Sequence, residues 1–365
     1  MKNPGISCGK LLCLKFSLET LMTEPIIFDI TINFSTLESD IFPLIHKIRP
    51  QWSLSNTQFK LFPEGNTNII IGLFQIDPYS KQIINESDGL IIKLFGQNSD
   101  LFIDRQIELN TLKELSKYDL SNKIFCQFHN GLIYSYRPGE ACTREQIADK
   151  HISKLIAKKL AQYHLLLLEK ITNEQNPKSY LIPTMKKFLN LLNDDSDFRI
   201  DSYTCSNLLS DIEHIESIIL PKLNFDVVYC HNDLICKNVI YDRSTDDVSF
   251  IDFEYAMYNY WIYDIANHFI EYAGVEQPDF NLYPNIEHQK QFLQTYFYYR
   301  KLTNIDNDYL NNICDLIDKF AALSHLFWSL WAFVQAKISK IDFNYKEYGY
   351  MRFKKYFDFK TKLFE

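Results

Sequence analysis

Apolar and polar positions fall into two regimes along this chain. Up to about residue 138, apolar residues come in short runs broken by turn-forming residues. Phe59, Leu61 and Phe62 precede Pro63-Glu64-Gly65-Asn66, and Ile69, Ile70, Ile71, Leu73 and Phe74 follow it. That pattern predicts strand, turn, strand over 58–75. Gly89-Leu-Ile-Ile-Lys-Leu-Phe-Gly96 is an apolar run bounded by glycines and predicts a buried strand. Ile107, Leu112 and Leu115 give Asp104 to Lys117 a helical spacing. His129-Asn130-Gly131 between Ile124–Phe128 and Leu132–Tyr136 is a hairpin signal. Ahead of these, Thr23 to Leu44 mixes β-branched residues with Asp and Ser and reads as an early strand or helix start. The region reads mainly as antiparallel strands with one inserted helix.

After Arg137-Pro138-Gly139 the period changes. Thr143-Arg144-Glu145-Gln146 offers a helix start with a partial capping box. Ile152, Ile156, Leu160, Tyr163 and Leu167 then recur as on one helix face. Further helices are predicted over Ile182 to Leu192, Cys205 to Leu220, Glu287 to Tyr299 and Tyr309 to Ser339. Among them, Val227 to Ile251 holds two short apolar runs around a polar turn, a central hairpin. The expected plan is α+β. A leader over 1–24 precedes a strand-rich lobe over 25–138 and a helix-rich lobe over 139–365.

Composition narrows the partners. The 365 residues carry 38 Lys plus Arg against 46 Asp plus Glu, a formal net charge of -8, which argues against a nucleic-acid-binding surface. No stretch is long and apolar enough to span a membrane; Ala321 to Ala336 comes nearest and is broken by Ser324, His325, Ser329 and Gln335. The 8 cysteines form no C-x-x-C pair and no zinc spacing. With no convincing signal peptide, the expectation is a cytoplasmic protein with reduced thiols.

The chemistry concentrates in the centre. Val227-Val-Tyr-Cys-His-Asn-Asp-Leu-Ile-Cys-Lys-Asn-Val-Ile-Tyr-Asp242 contains His231-x-Asp233 and then Asn238, and Val248-Ser-Phe-Ile-Asp-Phe-Glu254 follows. Phosphoryl transfer needs such a set. One Asp accepts or orients the proton of the attacking hydroxyl, and an Asn with a second Asp holds Mg²⁺ on the nucleotide phosphates. Asp233 fits the first role; Asn238 and Asp252 fit the second. His231 reads as a structural loop histidine. Taken singly, Asp233 also reads as a turn carboxylate and Asp252 as a strand-end cap. Lys93 reads on spacing alone either as a buried lysine that must be paired or as a lysine on an edge strand's solvent face.

His231-Asn-Asp-Leu-Ile-Cys-Lys-Asn238 and Ile251-Asp-Phe-Glu-Tyr-Ala-Met-Tyr-Asn-Tyr-Trp-Ile-Tyr-Asp-Ile-Ala-Asn-His-Phe269 resemble the choline/ethanolamine kinase family, from about residue 59 to the end. The resemblance implies a protein-kinase-like two-lobe fold and transfer of phosphate from ATP, with Mg²⁺, to a small amino alcohol. Glu271-Tyr-Ala-Gly-Val275, Asp279-x3-Tyr283-Pro284 and Leu101-Phe-Ile-Asp-Arg105 look more like the ethanolamine branch. Phosphoethanolamine, the first product on the CDP-ethanolamine route to phosphatidylethanolamine, is therefore the expected product. Choline, or both alcohols, is the alternative acceptor, and a pseudokinase scaffold the alternative class. Asn232 in place of the Arg of a His-Arg-Asp motif, and the lack of Ala-Pro-Glu, disfavour a protein kinase.

The resemblance also implies roles. Asn66, Thr67 and Asn68 would lie in the phosphate-covering turn, although as an isolated motif that turn reads as a plain hairpin. Lys93 would meet ATP phosphates and Glu108, and Tyr136 would belong to the hinge facing adenine. Glu254 would be a second metal ligand beside Asp252 and Asn238. Tyr255, Glu271, Trp328, Trp331 and Tyr348 would line the pocket for the cationic amino group, with Asp233 at the hydroxyl; Glu271 is expected on a helix starting near Tyr263. For the Trp pair, core packing is the alternative. A homodimer is a further expectation.

Overall fold

The computed structural model describes residues 24–62, 68–96, 99, 103–170, 177–193, 198–223, 225–339, 341 and 343–364, without the side chains of 166–170. Asn66, Thr67, Leu101, Phe102 and nearly all of the expected leader lie outside the described residues.

A six-stranded sheet forms the N-terminal part, in the order β1-β5-β6-β4-β3-β2. Its strands are β1 (Ile26–Ile27), β2 (Thr57–Phe62), β3 (Asn68–Gln75), β4 (Leu90–Phe95), β5 (Ile124–Phe128) and β6 (Gly131–Ser135). All pairs are antiparallel except β1 with β5, which is parallel. Two helices serve the sheet, α1 (Leu37–Ile48) and α2 (Arg105–Ser116). The expected early strand or helix start over Thr23 to Leu44 holds both β1 and the first turns of α1, which runs through Pro43. Alternation in β4 decides the site. Leu90, Ile92 and Leu94 pack in a core with Ile41, Leu44 and Ile45 of α1. Lys93 must then leave the other face of the sheet, and it does so buried, at 3% exposure.

The C-terminal part opens on β7 (Glu140–Ala141), α3 (Arg144–Ala148) and α4 (Lys150–Lys170). The capping box at Thr143 and Gln146 forms as expected. The helix it starts is short, because Asp149 turns extended and caps α4 through His151 and Ile152. Next come α5 (Leu181–Asn193), the ribbon β8 (Arg199–Ile200) and β9 (Tyr203–Thr204), and α6 (Cys205–His214), which continues through a π turn into α7 (Leu220–Leu223). The central segment gives β10 (Val227–Cys230), β11 (Val239–Asp242), β12 (Asp247–Phe250) and β13 (Met257–Tyr260). β11 and β12 are the expected hairpin, whereas β10 pairs with the later β13. The helices α8 (Trp261–Ile270), α9 (Ile286–Tyr299), α10 (Asn307–Ile338) and α11 (Tyr345–Phe364) complete the chain. Every residue of α8 is buried. No described helix is long and apolar enough to cross a membrane.

Candidate active site

The sheet and the segment after β12 meet at Lys93. Its Nζ donates to Glu108 Oε1 at 2.7 Å and Asp252 Oδ1 at 2.8 Å, and lies 3.4 Å from Glu254 Oε2. Burial pushes the lysine's pKa down, but Asp252, Glu108 and Glu254 overcome it and hold the pKa well above the ordinary value. The buried, paired reading of Lys93 is the one realised. Asn68, the first residue of β3, donates Nδ2 to Glu254 Oε2 at 2.8 Å. Arg105, which sequence reasoning did not place in the site, donates to Glu108 Oε2 at 2.7 Å and Asn68 Oδ1 at 3.0 Å. Glu108, Asp252 and Glu254 bring carboxylate oxygens within 4.8 Å of one another. Burial and the Glu254 charge raise the Asp252 pKa to about 6, against the pull of Lys93.

The loop carrying Asp233 is held from beneath. Asp264 of α8 accepts from the backbone N–H of His231 at 2.8 Å and of Asn232 at 2.7 Å. His164 Nε2 lies 3.1 Å from the same carboxylate. Burial disfavours the Asp264 charge, yet these bonds keep its pKa below the ordinary value. Asn232 sits at φ 64, a left-handed conformation that Asn tolerates. Its side chain donates to Tyr255 O at 3.1 Å and accepts from Asn259 at 2.9 Å. That geometry explains Asn at this position in local terms. His231 is structural, as expected: Nε2 donates to Ile251 O at 2.9 Å, and the ring packs on Phe253. Asn238 Nδ2 donates to Asp233 O at 2.8 Å, so its amide oxygen is the end left for a metal. Asp233 is raised well above the ordinary carboxylate range by burial and by the charges of Glu271, Asp252 and Glu254. Asp264 carries a signal of its own: an acid in a helix as apolar as α8 must find partners, and it finds them in this loop.

Tyr255, Trp328 and Trp331 form a ring cluster. Centroids are 5.2 Å apart for Tyr255–Trp328 and 5.3 Å for Trp328–Trp331. Trp331 Nε1 donates to the Tyr255 hydroxyl at 2.8 Å, and Trp328 Nε1 to Asn267 Oδ1 at 2.7 Å. Both tryptophans are more than nine-tenths buried and pack in the main core, as the packing alternative expects. Glu271 lies one residue past α8, in a 3-10 turn over Glu271–Ala273, rather than on the helix expected to carry it. Its Oε1 accepts from Arg352 Nη2 at 3.0 Å, while Oε2 is buried without a partner. Burial raises its pKa, and Arg352 opposes that. Tyr348, read from sequence as lying in a polar stretch, stands on α11, with the Arg352 guanidinium 5.4 Å from its ring centroid. Tyr136 donates its N–H to Gly89 O at 2.8 Å and its hydroxyl to Glu86 at 3.2 Å, so only its carbonyl remains for an adenine contact. Arg352 left no trace in the sequence pattern.

A profile of the choline/ethanolamine kinase family matches residues 59–357. Ethanolamine kinase 1 of Homo sapiens is 34% identical over 331 residues, covering 88% of this chain and 71% of that protein. A solved ethanolamine kinase of Plasmodium vivax superposes with a TM-score of 0.74 at 29% identity, over 90% of this chain and 91% of its own. A choline kinase of Cryptosporidium parvum also gives 0.74, at 22% identity and over 89% and 96% of the two chains, which speaks for the fold alone.

Proposed function

The chain belongs to the choline/ethanolamine kinase family, and on that premise we propose that it phosphorylates ethanolamine with ATP and Mg²⁺. The observation that carries the choice of acceptor is Glu271, with one oxygen held by Arg352 and the other buried and unpartnered. A primary ammonium brings N–H donors to such an oxygen; a trimethylammonium brings none. Ring faces of Tyr255, Trp328, Trp331 and Tyr348 add cation–π attraction to either.

In this reading Asp233 accepts the hydroxyl proton as the alcohol oxygen bonds to the terminal phosphorus and the bond to the bridging oxygen of ADP breaks. The burial and neighbouring acids that raise its pKa are offset once cationic substrate and metal enter. Asp252, Glu254 and the Asn238 oxygen are hard donors suited to Mg²⁺, which supplies neutralisation of phosphate charge when bound. Lys93, fixed by Glu108, would meet the phosphates. Asn66, Thr67 and Asn68 would cover them, and the Tyr136 carbonyl would face adenine. The reading divides the chain near Gly139, supported by the β7 pairing with β11 on the C-terminal side. A cytoplasmic location agrees with the free thiols of the described cysteines. A homodimer rests on the family resemblance alone and is read out by light scattering.

The experiment is phosphorus NMR of the protein with MgATP and ethanolamine and, separately, with MgATP and choline. Phosphoethanolamine formed in step with ADP supports the reading. Nucleotide binding without turnover would turn it to a scaffold, and turnover of choline alone to a choline kinase.

A further inference from the structure

The cluster around Lys93 contains a second cation whose position has a use beyond holding the fold. Arg105 is the first residue of α2, one turn before Glu108. Its guanidinium carbon lies 4.1 Å from the centroid of the Phe95 ring. Nη1 donates to Glu108 Oε2 at 2.7 Å and lies 3.4 Å from Glu254 Oε2. Nη2 donates to Asn68 Oδ1 at 3.0 Å and to Ser99 Oγ at 2.6 Å. Nε is buried with no partner. Glu108 thus spreads its two oxygens over two cations, Oε1 to Lys93 and Oε2 to Arg105.

Glu254 Oε2 is reached by Asn68 Nδ2 at 2.8 Å and by Lys93 and Arg105 at 3.4 Å each. The two cations therefore hold this oxygen more loosely than they hold Glu108. A metal taking Glu254 and Asp252 withdraws those carboxylates from the cations, and the grip of Glu108 remains. Lys93 is then a point charge with one acid, and Arg105 a planar fork with one acid and an unused Nε. A charged N–H is a strong donor to phosphate oxygen, and Nε is the Arg105 donor left without an acceptor. Asn68, which Arg105 also grips, opens β3 directly after the turn read as the phosphate cover.

We propose that Arg105 is a second phosphate-binding cation, acting with Lys93 on the β- and γ-phosphates of the bound nucleotide. The inference rests on reading this cleft as the ATP site. It predicts a split between nucleotides. A group on the outer phosphates matters for a triphosphate and little for a monophosphate, whereas a group that only braces α2 matters equally for both.

The test is calorimetric titration of the full chain with Mg²⁺ and a non-hydrolysable ATP analogue, and separately with AMP. Arg105→Met should weaken the triphosphate analogue by about 10- to 150-fold, the worth of hydrogen bonds to a charged group, and AMP by less than about 3-fold. Arg105→Lys keeps the charge and loses the fork, so it should recover part of the triphosphate affinity. Equal losses for both nucleotides, or none, in either variant would overturn the proposal. If Arg105→Met does not fold, Arg105→Lys decides by the same split. Wild-type protein that binds neither nucleotide would sink the ATP reading itself, a result distinct from a failed split.

Discussion

The two acid-bearing regions flanking Asp233 are built on opposite plans. On the sheet side, Glu108, Asp252 and Glu254 share Lys93 and Arg105, and three donors converge on Glu254 Oε2. On the helix side, Glu271 has Arg352 to itself, and Glu271 Oε2 with Arg352 Nε and Nη1 have no partners. A shared cluster can release a carboxylate to a metal and stay partly neutralised. A private pair cannot, and its open oxygen can take a donor from outside. That difference suits one side to a divalent metal with a polyphosphate and the other to a single organic cation.

The largest expected effect lies between the two. Asp233→Ala should lower kcat by roughly 10²- to 10⁴-fold, the range for losing acid–base assistance. Nucleotide affinity, measured by titration, should hold. A variant with near-normal kcat would remove Asp233 from the chemistry.

Stability separates the plans directly. Arg352→Met leaves the buried Glu271 without a counter-charge and should cost about 3–5 kcal/mol by chemical denaturation. Lys93→Met should cost less, because Arg105 still holds Glu108 and Glu254, and Asp252, at 35% exposure, can take a proton. Equal costs would erase the distinction between shared and private pairing.

The loop joining the regions should respond to acid. His268 donates Nδ1 to Leu234 O, and burial lowers its pKa from 6.5 to about 4. The unfolded chain then binds the proton first, so stability present above pH 6.5 is lost as pH falls toward 4. The histidine contributes about 3 kcal/mol of that loss. Asp252, raised to about 6, works in the opposite direction over the lower part of this window. His268→Gln should flatten the fall in melting temperature between these limits, and an unchanged pH profile would contradict the shift.

Legibility in the sequence followed the range of the interactions. β4, the β5–β6 hairpin and α2 were readable because alternation and an Asp104 cap are local signals. Asp233, Asn238 and Asp252 were readable because all three flank one short hairpin, two before it and one after it. Arg352 was not, since it reaches Glu271 from 81 residues away on a helix whose aromatics and lysines show no clean stripe. Arg105 hid for another reason. At the first turn of a helix it looks like a solvated charge, and only the sheet's alternation shows that this turn faces Lys93. The break at Asp149 and the pairing of β10 with β13 depended on tertiary partners that no local pattern names.

The smallest of these effects concerns the rings. Trp331→Ala removes one face from the cluster and should weaken either alcohol by about 0.5–2 kcal/mol, choline at least as much as ethanolamine. A loss confined to ethanolamine would mean the ring acts through its hydrogen bond to Tyr255 instead.

The ethanolamine-to-choline ratio of kcat/KM, measured for wild type and Glu271→Ala side by side, tests the central claim most directly. The account predicts that wild type favours ethanolamine. It also predicts that Glu271→Ala lowers the ratio by about 10- to 150-fold, the worth of a hydrogen bond to a charged group. A wild type that favours choline, or a ratio unmoved by Glu271→Ala, would contradict it.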